Sequence, residues 1–242
     1  MQKLIVLSAT YRQASLVTKE NAERDPENKL LGRAPRLRLP AEMIRDQALA
    51  ASELLVEKIG GPSVKIYQPD GLWKELTNDQ YEQDHGEALY RRSMYTFWKR
   101  TVPPPTMTTF DASAREACTL NRSRTNTPLQ ALALLNDVTY VEAARKLAEK
   151  VMTTETATTP AAQLTLAFRL VLAREPDATE LKVLTSAFER NVARFQSDAE
   201  GAEKLVSLGE SARNESLDKI PLAAMTATCS LILNLDEAVT RE

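Results

Sequence analysis

Chemistry needs charged and nucleophilic side chains brought together, and four short stretches of this sequence supply them. In "AEMIRDQAL", Glu42 and Asp46 fall one helical turn apart with Arg45 beside them. Two carboxylates so placed can split their pKa values and do acid–base work, as a retaining glycosidase does with a pair about 5 Å apart. Carboxylates in a first helical turn are also ordinary complements to the helix dipole, and that reading is favoured here. In "FDASAREACTLNRSRTNTPLQ", Asp111, Arg115, Glu116, Arg122, Arg124 and Asn126 crowd a loop between two helices. Polar residues on a loop held by rigid elements are where function tends to sit. Cys118, between Arg115 and Arg122, has cations that could activate a thiolate, but no base nearby in sequence. A network of ion pairs pinning the loop, able to line a pocket, is the favoured reading.

The densest stretch is "YRRSMYTFWKRTVPPP". Its residues 90–100 hold four aromatics (Tyr90, Tyr95, Phe97, Trp98) and four cations (Arg91, Arg92, Lys99, Arg100). Arginine with tryptophan can grip a polyanion or stack on a sugar. Tyr90, Met94, Phe97 and Trp98 also keep helical spacing, which predicts a helix with an aromatic core face and solvated cations. Asn136 and Asp137 interrupt an apolar helical run, where both have poor propensity, and read as a buried polar pair bonded to the preceding loop. His85, the single imidazole, reads as an exposed polar residue. No GxGxxG, Walker A, GxSxG or HExxH pattern occurs.

These residues need a frame, and composition points to helices. The chain has 242 residues, 43% hydrophobic and 26% charged, with only 7 glycines. A net charge of −2 gives no basic footprint for nucleic acid. The two cysteines, Cys118 and Cys229, form no CxxC or CxxCH, so attached haem and a cysteine zinc site are excluded for this chain. They could form a disulfide in an oxidising compartment, but two small buried apolar side chains are the favoured reading. A lone histidine leaves no multi-histidine metal site. No signal peptide is visible at "MQKLIVLSATYRQAS", and "IPLAAMTATCSLILNL" is too short and polar to span a bilayer. Taken alone, the chain reads as soluble and cytoplasmic.

The expected fold is mainly α, an irregular multi-helix domain with a long ordered loop region. Residues 3–15 read as a helix that begins uncapped, as though cut from something longer, and 19–29 as an exposed loop. Ile44, Ala48, Ala51 and Leu55 predict a helix from Pro40, stopped by Gly60-Gly61-Pro62. Residues 63–86 read as an ordered excursion with room for a short strand. Thr127, Pro128 and Gln130 predict a capping box opening one helix to about Met152. Residues 1–152 are thus one part and 153–160 a linker. Residues 161–242 form a helical subdomain, with helices at 161–173, after an Asp177/Glu180 cap, and from about Pro221.

Read together and in order, "LIVLSATYRQAS", "LPAEMIRDQAL", "GGPSV", "YRRSMYTFWKRTVPPPTMTTFDASAREACTLNRSRTNTPLQALALLND" and "LAREPDATE" resemble one family. It is the planctomycete-specific domain of unknown function that follows cytochrome-C-like modules in large exported proteins, and "LILNLDEAVTRE" is similar to its usual ending. The resemblance covers nearly the whole chain. It implies an exported or periplasmic setting, an upstream domain as partner and haem only in an upstream module. It supplies no reaction to carry over. The leading expectation is therefore a non-catalytic helical domain that packs against an upstream domain and, alone, exposes an apolar patch and self-associates or is poorly stable. The alternative is a domain that binds or degrades extracellular polysaccharide, with Arg91, Trp98, Asp111, Arg115 and Arg124 around a pocket where 90–100 meets 110–127.

Overall fold

Apolar side chains at helical spacing recur down most of the chain. The computed structural model, which describes residues 1–76 and 79–241, is accordingly mainly α. An amino-terminal arm holds α1 (Gln2–Val6) and α2 (Lys19–Arg24), after which β1 (Leu37–Arg38) leads into α3 (Ala41–Ala51). An irregular stretch follows with α4 (Leu72–Leu76), 3₁₀ turns at Gly86–Tyr90 and Ser93–Tyr95, and α5 (Pro105–Thr109). Then come α6 (Pro128–Asn136), α7 (Val138–Thr153), α8 (Pro160–Leu172), α9 (Ala178–Ser197), α10 (Ala199–Val206), α11 (Lys219–Leu233), α12 (Asp236–Val239) and β2 (Thr240–Arg241). β2 pairs antiparallel with β1, Leu37 opposite Arg241 and Arg38 opposite Thr240. That short ladder brings the segment before α3 against the end of the chain. No helix among the described residues is long and apolar enough to cross a membrane.

The post of the structure is α11, which the sequence shows to be apolar nearly all round. Leu222, Met225, Cys229 and Ile232 are buried against α7 and α9, with α8 and α10 beside them. Small residues on both partners, Ala143, Ala144 and Ala148 on α7 with Ala223 and Ala224 on α11, let the backbones approach closely. α3 packs on the far side of α7, so one core runs from Ala41 to Val239 and includes both helices joined by residues 154–159. Each fully buried leucine, such as Leu147, Leu164 or Leu222, contributes about 1.5–3 kcal/mol.

Where local signals act alone, sequence and structure agree. Asp177 accepts from Thr179 N and Glu180 N while Glu180 reaches back to Asp177 N, the expected capping box. The helix expected at 161–173 is α8. Elsewhere the expectations need correcting. Helix α1 is five residues long rather than thirteen, and the loop expected at 19–29 opens with α2, capped by Thr18. Helix α3 stops at Ala51, before the glycines. Ser52 Oγ bonds back to Ala48 O and Leu49 O, and Glu53 turns left-handed at φ 61°. Residues 90–100 are not a helix. Arg45 takes the carbonyls of Leu89 and Arg91, while Val64 pairs with Tyr95 O and Phe97 N, so these groups are lost to helical bonding.

The single helix expected to Met152 breaks at Asp137. Its backbone is extended and its Oδ1 accepts from Thr139 N, so Asp137 is the N-cap of α7 rather than a mid-helix residue. Pro128 does open α6, but Thr127 makes no side-chain cap and Gln130 is buried with other partners.

One exposed clasp has a readable pH dependence. Arg174 bonds Glu180 at the start of α9 and Glu237 in α12. Its hydrogen bonds hold the Glu180 carboxyl down at about 2. A depressed carboxyl contributes stability above its unfolded value, near 4.5, and loses it as pH falls toward 2. With solvent screening the contribution is about 0.5–1 kcal/mol. Arg174→Gln should therefore lower thermal stability at pH 7 and lower it less as pH falls toward 2, as calorimetry at both pH values would read.

Candidate functional site

The first predicted constellation closes on itself. Arg45 is buried, and its guanidinium donates to Arg91 O (2.9 Å), Ser93 Oγ (3.2 Å) and Leu89 O. Burial pulls its pKa down, opposed chiefly by Asp46. Asp46 accepts from Ser93 N at 2.7 Å and lies 4.0 Å from Arg92 Nε. Arg91 is also buried, its guanidinium 3.9 Å from the Tyr95 ring centroid and bonded to the carbonyls of Lys58, Gly60 and Pro62. So Arg45 and Arg91 act as staples for irregular backbone, Arg45 giving the buried carbonyls of Leu89 and Arg91 their donors and Arg91 tying down the exposed turn at 58–62. Glu42 and Asp46 do not converge: Glu42 turns away to Arg122.

The second constellation does make a cleft, of about 480 Å³. Asp111, Arg122 and Arg124 from the loop face Glu42 and Pro40 at the start of α3, over a floor that includes Phe110. Asp111, left-handed at φ 61°, accepts from Thr125 N (2.7 Å) and Thr125 Oγ1 (2.8 Å), which fixes the loop's return. Arg122 grips both oxygens of Glu42, at 2.8 and 3.0 Å. Arg38 and Gln130 complete the wall, and nothing in their local sequence marks them. Gln130, buried at the start of α6, donates to Thr109 O and Thr125 Oγ1 and accepts from Arg38 Nη2 at 2.8 Å. Arg124 makes no hydrogen bond or ion pair among the described residues and stands exposed on the rim.

The remaining candidates lie apart. Trp98 donates to Ala114 O and carries Arg115 over its ring at 4.7 Å, outside the lining of the cleft. The pocket expected where 90–100 meets 110–127 is thus built instead from 110–127 and α3. Glu116 and Asn126 are exposed and line no part of it. Asn136 donates back to Leu132 O and is exposed rather than buried, while Asp137 caps α7 and accepts from Thr106 Oγ1. Cys118 is exposed and free, contrary to the reading of a buried apolar residue. Cys229 is buried and free, its thiol pushed up to about 12 by burial. His85 is exposed and contacts the Glu210 carboxylate. Among the described residues no cluster of three His, Cys, Asp or Glu is placed to hold a metal ion.

Sequence reasoning missed the most buried charge of all. Glu142, Arg145 and Glu149 lie on one face of α7, and all three are buried. Glu142 accepts from Tyr90 OH (2.8 Å), Tyr67 OH (3.1 Å) and Ser211 N (2.6 Å). Arg145 bonds Glu149 (2.8 Å) and both oxygens of Ser211 (2.7 Å each). Burial, then Glu142, pushes the Tyr90 phenol up to about 12 and Tyr67 further. Tyr67 OH in turn accepts from Glu210 N. Burial works to raise the Glu210 carboxyl, but bonds from His85, Gly86 N and Gln83 win and hold it below its usual range. This network ties the irregular stretch 63–90 and the loop after α10 to α7. Spacing of i, i+3 and i+7 reads as an exposed ion-pair stripe, and only the apolar neighbours Val141, Ala144 and Ala148 hint at burial.

A second concavity, about 890 Å³, lies among α9, α10 and α11 and is walled chiefly by Leu135, Val141, Phe195, Leu205 and Leu231. It holds none of the predicted residues except Asn136.

Comparison with known proteins adds one positive finding. No curated protein and no solved structure matches the chain. A family profile described as PSD1, protein of unknown function (DUF1553), matches residues 1–188. That span runs from the arm into α9 and takes in the arginine staples, the cleft and the charged face of α7. With most of its length matched, the chain belongs to the PSD1 family.

Proposed function

We propose that this chain is a non-catalytic helical domain of an exported planctomycete protein. It packs against a preceding domain, with the amino-terminal arm as the contact. The observation that carries the reading is the arm itself. Neither α1 nor α2 buries a residue, and Leu4 (78% exposed), Leu16 (74%) and Leu30 (71%) stand in solvent beside Ile5, Leu7, Val17 and Leu31. Apolar side chains gathered in this way mark an interaction surface. The arm bonds mainly to itself, Gln13 to Leu31 O and Ala34 N to Ala14 O, and touches the body through Arg241 on Tyr11. It is therefore shaped yet uncovered. The closed networks at Arg45, Arg91 and Glu142 support a structural role for most of the charge. This chain offers no CxxCH for covalent haem attachment, and its one imidazole pairs with Glu210. Any haem belongs to the preceding cytochrome-C-like module. The net charge of −2 argues against nucleic acid as a partner.

Sedimentation of the chain mixed with the separately expressed preceding module tests this. A complex should form, and Leu4→Glu with Leu16→Glu should weaken it at least tenfold, since two buried leucines are worth more than about 1.4 kcal/mol. No complex, or one indifferent to both substitutions, would overturn the proposal.

A further inference from the structure

The arm leaves the cleft at α3 unused, and the cleft has a chemistry of its own. Its about 480 Å³ falls within the roughly 300–1,000 Å³ of small-ligand sites. Three guanidiniums, Arg38, Arg122 and Arg124, meet two carboxylates, Glu42 and Asp111, on its wall. Arg38 is held by Gln130 and Asp236, and Arg122 by Glu42. Arg124 alone has no partner among the described residues, so one planar fork of donors faces the opening unmatched. A carboxylate fits such a fork with two parallel hydrogen bonds.

Charge narrows the ligand. With Arg38 paired to Asp236 and Arg122 to Glu42, Arg124 alone is left without a carboxylate among the described residues, and one monoanion matches it where a phosphate dianion exceeds it. The carboxylates also matter as acceptors. Glu42 keeps lone pairs beyond its bonds to Arg122, and Asn121 and Ser123 add polar groups on the rim, so hydroxyls have partners. Phe110, Leu39 and Leu120 supply apolar faces against which the C–H face of a sugar ring can lie. We propose that this cleft binds a hydroxylated monocarboxylate, a sugar acid of the hexuronate type, with Arg124 closing on the carboxylate. The inference is independent of the docking arm.

The test is calorimetric titration of the whole chain with glucuronate, glucose, acetate and inorganic phosphate. Glucuronate should bind saturably, and each of the other three at least tenfold more weakly. Arg124→Gln should weaken glucuronate at least tenfold, as loss of a charge-assisted pair requires. Arg100→Gln removes an equally exposed cation outside the cleft and should change nothing. Because Arg124 makes no hydrogen bond or ion pair among the described residues, its variant should melt with the parent, and a matched melting curve confirms that. The inference is overturned if glucuronate does not saturate, if Arg124→Gln binds it equally well, or if acetate or phosphate binds as tightly, the mark of an unselective anion site.

Discussion

Arg145→Ala is expected to lower the unfolding free energy by about 3–5 kcal/mol, among the largest effects of any single change in this chain. The alanine itself suits a helix; the cost lies in what it abandons. Glu142 and Glu149 are both buried, and Arg145 is the cation between them, 3.7 Å from Glu142 and 2.8 Å from Glu149. Lys146 still reaches Glu149 at 2.6 Å from its half-exposed position, so Glu149 keeps one counter-charge. Glu142 keeps only phenols and an amide. The two oxygens of Ser211 lose their donor as well. Glu142→Gln, which removes a charge and keeps the shape, should cost much less, about 1–2 kcal/mol. Urea unfolding of the three proteins checks the order. Equal costs for the two variants would show that charge is not what the network holds.

Gly209→Ala should have the second large effect, about 3 kcal/mol or more. The backbone at Gly209 is left-handed, φ 86°, where any Cβ is strained by roughly 1–2 kcal/mol. Space is the harder limit: a Cβ there would stand 2.2 Å from Glu142 Cδ and 2.4 Å from its Oε1. That carboxylate cannot swing aside without leaving Tyr67, Tyr90 and Ser211 N together. Both substitutions therefore act through Glu142, and the double variant should be less destabilised than the sum by more than about 0.5 kcal/mol. Simple additivity would show that the glycine and the arginine serve separate structures.

What could be read beforehand divides by range of interaction. Helices α8, α9 and α11 were legible because their stripes, proline starts and Asp177 cap lie within a few residues of the structure they specify. The segment 90–100 misleads because its aromatic spacing fits a helix while its backbone is claimed by Arg45 and Val64, some 30 to 50 positions away. The Asn136-Asp137 pair carried a true signal, poor helix propensity, whose meaning was a helix start, with only Asp137 bonded back to the preceding segment through Thr106. In the cleft, Asp111, Arg122 and Arg124 were visible as charge on a loop between helices. Arg38 and Gln130 were not, since only the β1–β2 pairing and the burial of α6 bring them there. The Glu142 network was hidden for a like reason, because its phenols come from an irregular stretch whose path no local pattern predicts.

Hydrogen exchange of the chain, with and without the preceding module proposed for it, tests whether the arm is a docking surface. New protection is expected at residues 2–33, where the exposed leucines lie, with α7 and α11 unchanged. Protection that appears elsewhere while the arm still exchanges freely would contradict it.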